Sequence, residues 1–241
     1  MNTVVIILPV LNEAENIKDF IEKIIKNIDN NLVKILVVDD YSPDGTGEIV
    51  KNLQKTYSNL YLIQNPKTGL GNAYKKGFKF AIDKLNANIL IEMDSDFSHP
   101  PELIKDLIEE INKGYDFVIG SRYIKGGSIP DNWGLFRKMN SKYGNIFARF
   151  IAGLKNIHDC TSGFRAIRTD FIKNIDLDKL DVQGYSFQMN ILFECVNMGA
   201  KVKEIPLNFK DREKGKSKLG IKDISEFIIN SLKLLLRRLF F

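Results

Sequence analysis

At 241 residues the chain is long enough for one large α/β domain or two small ones, and 44% hydrophobic with 27% charged residues is the composition of a globular protein. Two distant cysteines, Cys160 and Cys195, and two histidines, His99 and His158, exclude a disulfide framework, a cysteine zinc site and a histidine-rich metal site. The net charge of +5 is unevenly placed: residues 201–241 hold 11 Lys and Arg against 5 Asp and Glu, the first 200 hold 24 against 25, and so basic an end calls for an anionic partner. No basic segment precedes the first apolar run, so no signal peptide is read and a reducing, cytoplasmic setting is expected.

Residues 3–10 are apolar and β-rich and predict a central strand. Asn12-Glu13 then opens a helix with Glu13 and Glu15 in its first turn, and Ile17, Phe20, Ile21, Ile24, Ile25 and Ile28 recur at helical spacing. Residues 33–38 form a second buried strand ending in Asp39-Asp40. A turn over 41–46 leads to a helix from Gly47 to about Tyr57. Residues 60–63 are a short strand, and Gly69-Leu-Gly71 leads into a helix through Leu85. A fourth strand spans 89–93, Pro100-Pro101 restart the chain as a helix, and 116–119 are a fifth strand. This alternation predicts parallel strands joined by right-handed crossovers. The glycine fingerprint of dinucleotide binding is missing after the first strand, and no phosphate-binding P-loop occurs.

Beyond Gly120 the pattern loosens. Gly126-Gly127 marks a loop, and residues 136–151 predict a helix with Arg137, Lys138, Lys142 and Arg149 among its polar positions. A polar turn over 161–165 precedes a short strand. A helix over 184–197 and a strand over 202–209 follow. Lys210–218, KDREKGKSK, has no apolar residue and is dominated by Lys and Arg. From Asp223 a final amphipathic helix runs to the end: Asp223, Glu226, Asn230, Lys233 and Arg237 make one polar stripe, and Ile224, Phe227, Ile228, Leu232, Leu235, Leu236 and Leu239 fill the other side. It is too often charged to span a bilayer.

The chemistry concentrates after the fourth strand. Residues i and i+2 of an extended chain point the same way, so Asp94 and Asp96 converge. Two carboxylates that close repel unless a cation sits between them. Oxygen ligands select a hard divalent ion, Mg²⁺ or Mn²⁺, and Ser98 offers a hydroxyl two residues further on. In open α/β sheets ligands bind beyond the carboxyl ends of the strands, where Asp39-Asp40 and Glu13 are also expected to face. An acidic crevice with a divalent ion suits a diphosphate, and Asp40 suits a base or ribose. These features fit a nucleotide-sugar site and equally a phosphatase-like one. His99 is expected to shape its turn, His158 to lie at the surface, and both cysteines to pack.

Four motifs resolve that choice. Pro9-Val-Leu-Asn-Glu13, Val37-Val-Asp-Asp-Tyr-Ser-Pro-Asp-Gly-Thr46, Met93-Asp-Ser-Asp-Phe-Ser-His-Pro-Pro-Glu102 and Gly120-Ser-Arg-Tyr123 resemble the family 2 glycosyltransferases of GT-A fold. Asp159-Cys-Thr-Ser-Gly-Phe-Arg165, Gly184-Tyr-Ser-Phe-Gln188 and Asp211-Arg-Glu-Lys-Gly-Lys-Ser-Lys218 resemble, more narrowly, the dolichyl-phosphate and other polyprenyl-phosphate mannosyltransferases. The likeness covers essentially the whole chain. One departure is Leu11, where that branch usually carries Tyr.

The resemblance implies a GT-A domain over 1–220, an α/β fold with a mostly parallel sheet flanked by helices, and a membrane-interface helix over 221–241. Pro9, Leu11, Glu13, Val38 and Asp40 would hold the nucleoside. Asp94, Ser95 and Asp96 would contact the diphosphate, with Asp94, Asp96 and Ser98 around the metal. Arg122, Arg212 and Lys218 would hold phosphates and Arg137 the acceptor phosphate; Asp96, Arg122 and Arg212 would carry the catalysis. The 210–218 loop becomes a lid over the donor. The implied reaction is inverting transfer of a sugar, foremost mannose from GDP-mannose, onto a polyprenyl phosphate. The alternatives are UDP-glucose as donor and a non-enzymatic, peripheral membrane-binding module. A cytoplasmic membrane surface, a small membrane-protein partner and no nucleic acid complete the expectation.

Overall fold

The computed structural model describes residues 2–28, 32–66, 69–180, 184–211 and 221–240. Seven strands among them form one sheet: β1 Val4–Val10, β2 Val33–Asp39, β3 Leu60–Gln64, β4 Ile89–Glu92, β5 Phe117–Ser121, β6 Arg165–Arg168 and β7 Val202–Pro206, in the order β3-β2-β1-β4-β6-β5-β7. Eight helices pack on it: α1 Ile17–Asn27, α2 Thr46–Gln54, α3 Leu70–Asp83, α4 Ile104–Asn112, α5 Leu135–Ile151, α6 Thr169–Ile172, α7 Gly184–Asn197 and α8 Ile221–Phe240. The first four strands are mutually parallel, β5 and β7 are parallel, and β6 alone runs antiparallel, between β4 and β5. The mostly parallel α/β sheet follows from the alternation of strands and helices.

The central strands are continuous apolar runs because helices cover both faces. Alternate residues of β1 enter two separate cores: Val5 and Ile7 join Tyr74, Phe78 and Phe187 on one face, and Ile6 and Leu8 join Phe20, Ile21 and Ile24 on the other. Each such side chain, fully withdrawn from water, stabilises the fold by about 1.5–3 kcal/mol. Gly77 lets α3 lie close on the sheet; a Cβ there would stand 2.7 Å from Ile7.

The chain builds outward from β1 to β3, then returns to lay β4 on the other side of β1. That reversal opens a crevice at the carboxyl edge between β1 and β4. Two boundaries differ from expectation there. The helix expected from Asn12-Glu13 starts at Ile17, because Asn12 is left-handed (φ 59°) and the Glu13 carbonyl first accepts the amides of Asn16 and Ile17. The strand expected to reach Phe209 stops at Pro206, after which the chain bends to exchange backbone bonds with Ser128.

The final helix is present, but its apolar side is only partly docked. Asn230, Ser231 and Leu234 are buried, while Ile228, Ile229, Leu232 and Leu236 are exposed. One member of the expected polar stripe, Asn230, therefore points inward, while Lys233 and Arg237 stay exposed. The cause is α7, which presents Asn190 to Asn230 at 2.9 Å and Glu194 to Arg237 at 2.6 Å. Among the described residues no helix is long and apolar enough to cross a membrane.

Candidate active site

β4 delivers the acidic turn to the crevice. Asp94 is partly exposed, and Ser95, Asp96 and Ser98 are buried. The Asp94 amide donates to His99 Nδ1 at 3.0 Å, and His99 stacks on Phe164, so His99 shapes the turn. The Ser98 amide and hydroxyl donate to Asp96 Oδ1 at 3.1 and 2.5 Å. A donating hydroxyl keeps its lone pairs, so Ser98 orients Asp96 and still presents an oxygen. Phe97 between them is left-handed (φ 64°). Asn12 after β1 and Tyr41 after β2 are left-handed too. Three of the four left-handed non-glycine residues among those described thus follow strand carboxyl ends, the fourth, Asn86, preceding β4, and such strain persists where surrounding contacts enforce it.

Among the described residues no three His, Cys, Asp or Glu side chains group as a metal cage. Two carboxylates and a hydroxyl are a hard but incomplete oxygen set. That fits Mg²⁺ or Mn²⁺, which take one or two carboxylates and draw other ligands from substrate phosphates and water.

The ends of β1 and β2 are knitted together. Asn12 donates to Ser42 Oγ, Glu13 to Thr46 Oγ1 and Ala14 to Asp44 Oδ2, each through its backbone amide at 2.9–3.0 Å. The Glu13 carboxylate accepts from Asn16 at 3.0 Å. Pro9 and Leu11 are half-buried beside it and Val38 is fully buried. Asp40 accepts from Asn65 at 3.1 Å, and Asn65 in turn contacts Lys76. Asp39 departs from expectation. It is fully buried, and its carboxylate already accepts from Gln64 at 3.1 Å and the Ser42 amide at 3.0 Å.

Arg122, just past β5, is buried and clasped. Its Nε and Nη2 donate to the two oxygens of Asp159, each at 2.7 Å, its backbone amide adds a third bond to Asp159 at 3.0 Å, and Nη2 also donates to Thr161 at 2.9 Å. Burial would raise the Asp159 carboxyl, but the Arg122 charge and hydrogen bonds outweigh it and hold it below its ordinary value. Glu204 on β7 steadies the segment by accepting the amides of His158 and Asp159 at 2.9 Å. Asp159 and Glu204 carry no signal of this role in the sequence: Asp159 lies in the Asp159–Arg165 motif, but nothing in the sequence pairs it with a residue 37 positions earlier.

Arg137 stacks on Trp133, 3.8 Å from the ring centroid, and faces Asp211 at 3.4 Å. Trp133 meets Phe209, whose ring lies 5.6 Å from the Arg122 guanidinium. Arg122 and Arg137 are thereby tied to one aromatic ladder. The Lys210 amide donates to the Ser98 carbonyl at 3.4 Å, so Lys210 is tied to the acidic turn. Arg212 and Lys218 lie outside the described residues. His158 is half-exposed and pairs with Glu204; both cysteines are buried, and burial pushes their thiols up to about 12.

Residues 5–176 match the model of a family described as Glycosyl transferase family 2. The polyprenol monophosphomannose synthase of Mycolicibacterium smegmatis is 38% identical over 223 residues, 92% of this chain and 82% of that protein. The undecaprenyl-phosphate mannosyltransferase of Micrococcus luteus is 36% identical over 94% of this chain and 91% of its own. The dolichol-phosphate mannosyltransferase of Pyrococcus furiosus is 35% identical over 95% of this chain and 63% of its own. Among solved structures, glucosyl-3-phosphoglycerate synthase from Mycobacterium tuberculosis, in complex with Mn²⁺, uridine-diphosphate-glucose and phosphoglyceric acid, superposes with a TM-score of 0.69 at 18% identity, over 98% of this chain and 79% of that one. At that identity the likeness speaks for the fold alone.

Proposed function

The chain belongs to the family 2 glycosyltransferases, and we infer that it transfers mannose from a nucleotide-sugar donor, GDP-mannose, to a polyprenyl phosphate. The observation that carries this reading is the pairing of an acidic turn, Asp94 and Asp96, with two arginines, Arg122 and Arg137, at one edge of the sheet. The acids suit a metal-bound diphosphate, and the arginines suit a second anion. The relatives named for mannosyl transfer to polyprenyl phosphates match more than nine-tenths of the chain, which supports the choice of acceptor.

In the reaction the bond from the sugar's anomeric carbon to the diphosphate oxygen breaks, and a bond from that carbon to an acceptor phosphate oxygen forms. The nucleoside diphosphate leaves with the electron pair, and the resemblance implies inversion. A phosphate monoester with a second pKa of about 6 is already anionic at neutral pH, so no side chain has to remove a proton. Positioning of two anions is the main task. Pro9, Leu11, Glu13, Val38 and Asp40 line the nucleoside end, and Ser95 lies with the diphosphate. Asp94 and Asp96, with Ser98, would hold Mg²⁺ or Mn²⁺, and such an ion offsets charge on a leaving diphosphate. Arg122 and Arg137 place the acceptor, and Arg212 and Lys218 act from the lid.

The acceptor's tail stays in a bilayer, so the site has to come to a lipid surface. α5 exposes Leu135 (75%), Phe136 (76%), Met139, Tyr143 and Phe150, and α8, packed beside it, exposes Ile229, Leu232 and Leu236. An apolar face of that extent marks an interaction site, and the cations Arg137, Lys138, Lys142 and Lys233 on the same helices suit anionic head groups. In this division residues 1–220 carry the transferase and 221–241 meet lipid together with α5.

The deciding experiment offers radiolabelled GDP-mannose or UDP-glucose with undecaprenyl phosphate in detergent, with and without EDTA. Label from GDP-mannose enters the lipid fraction, and EDTA abolishes it. Label from UDP-glucose alone would replace the donor, and no lipid label from either would sink the reading.

A further inference from the structure

α5 has a flank, turned away from Arg137, that meets the transfer site only through Arg122. Between this flank and the loop after β5 lies a cavity of about 450 Å³, within the roughly 300–1,000 Å³ of ligand pockets. Its lining includes three cations, Arg122, Lys142 and Arg149, and three isoleucines, Ile124, Ile129 and Ile146. Lys142, Ile146 and Arg149 follow the four-and-three spacing of one helix side. At about 100° per residue, Arg137 stands roughly 140° around α5 from Lys142, so the cavity is separate from the place where Arg137 stacks.

The charges in this cavity are unequally answered. Arg122 is paired with Asp159. Lys142 and Arg149 pair with no carboxylate among the described residues; Arg149 donates Nη2 to the Lys155 carbonyl at 2.6 Å, and its buried Nε has no acceptor. A buried guanidinium N–H without an acceptor is unfavourable, and an oxyanion is its strongest partner. The isoleucines ask for something else: an apolar chain attached to that anion. The exposed apolar stripe of α5 adds the depth. Tyr143 of the stripe stands about 100° around the helix from Lys142, so with the stripe laid on a bilayer the cavity opens sideways, at the level of the head groups.

We propose that this cavity is a lipid-phosphate site, seating the head group of an anionic phospholipid with its phosphate on Lys142 and Arg149 and its first carbons against Ile124, Ile129 and Ile146. The site rests on the membrane docking described above and gives that docking a preference for anionic lipid beyond diffuse attraction.

The test is co-sedimentation of the full chain with vesicles of phosphatidylcholine, with and without phosphatidylglycerol. The Lys142→Ala/Arg149→Ala double variant is expected to bind the anionic vesicles roughly tenfold or more weakly, the effect of two basic contacts. Ile146→Trp and Ile129→Phe fill the cavity and leave every charge in place, and they are expected to lose a similar factor while keeping the wild-type melting temperature. Inorganic phosphate, lacking the chain, is expected to displace the protein poorly. Cavity-filled, folded variants that bind anionic vesicles as well as wild type would overturn the site, as would ready displacement by inorganic phosphate. Wild type that binds neither vesicle would instead defeat the docking reading itself.

Discussion

Asp159 and Glu92 are both fully buried acids beside an arginine, and their carboxyls move in opposite directions. Asp159 takes a two-pronged clasp from Arg122, which outweighs burial and holds it down. Glu92, on β4 beneath the acidic turn, lies 4.0 Å from Arg165, whose N–H groups already donate to the carbonyls of Ser162, Gln188 and Cys160. Burial therefore wins, and Glu92 rises from 4.5 to about 7. The signs for stability follow from which state binds the proton. Asp159 contributes stability above the ordinary carboxylate value, lost as pH falls through its depressed one. Glu92 keeps a proton that the unfolded chain has released, so its contribution declines as pH rises from about 4.5 towards 7. Thermal melts taken from well below the ordinary carboxylate value up to about pH 7 should show both slopes. Glu92→Gln should flatten the upper one, and an unchanged slope would mean that another group titrates there. Asp159→Asn strands the Arg122 guanidinium in a buried site, a loss of about 3–5 kcal/mol, with turnover falling alongside.

At the level of elements, α5 joins the acceptor side of the site to the apolar face, and Arg137 is its test. The guanidinium is held by the Trp133 ring and by Asp211, away from the knitted ends of β1 and β2 that would carry the nucleoside. Arg137→Ala should raise the KM for polyprenyl phosphate roughly 10–100-fold, the worth of one charge-assisted hydrogen bond, with donor affinity nearly unchanged. Initial-rate kinetics varying each substrate separate the two, and equal loss of both affinities would show the roles wrongly divided. The place of the acidic turn was legible in the sequence because an apolar strand closed by a polar turn is a local signal, although β4 ends at Glu92 and Asp94 to Ser98 lie in the bend beyond it. So was the run of parallel strands, because each is an apolar segment closed by a turn. The Arg122–Asp159 clasp was not, because long-range pairing leaves no periodic trace. The inward turn of Asn230 on α8 was hidden for a related reason: periodicity separates polar from apolar, but the partners Asn190 and Glu194 on α7 are set by the fold.

For the whole molecule, basic charge and exposed apolar surface coincide. Residues 201–241 carry the entire positive excess, and α8 within them leaves Leu232 and Leu236 in solvent beside the bare stripe of α5. Water is a poor solvent for such a face, and a bilayer interface covers it while leaving the crevice open above the lipid. Each large side chain returned to an apolar phase is worth about 1.5–3 kcal/mol, so a few of them decide between bound and free. Replacing Phe136, Met139, Leu232 and Leu236 together by Ser should lower vesicle binding by roughly a hundredfold or more and leave the fold intact, since none of the four is part of a core. The consequence for turnover depends on where the acceptor is. With polyprenyl phosphate embedded in vesicles the quadruple variant should be nearly inactive, and with a short, water-soluble prenyl phosphate it should match wild type. Equal rates on the embedded acceptor would show that lipid is reached by another surface, and equal loss on both acceptors would place these side chains in the chemistry instead of the docking.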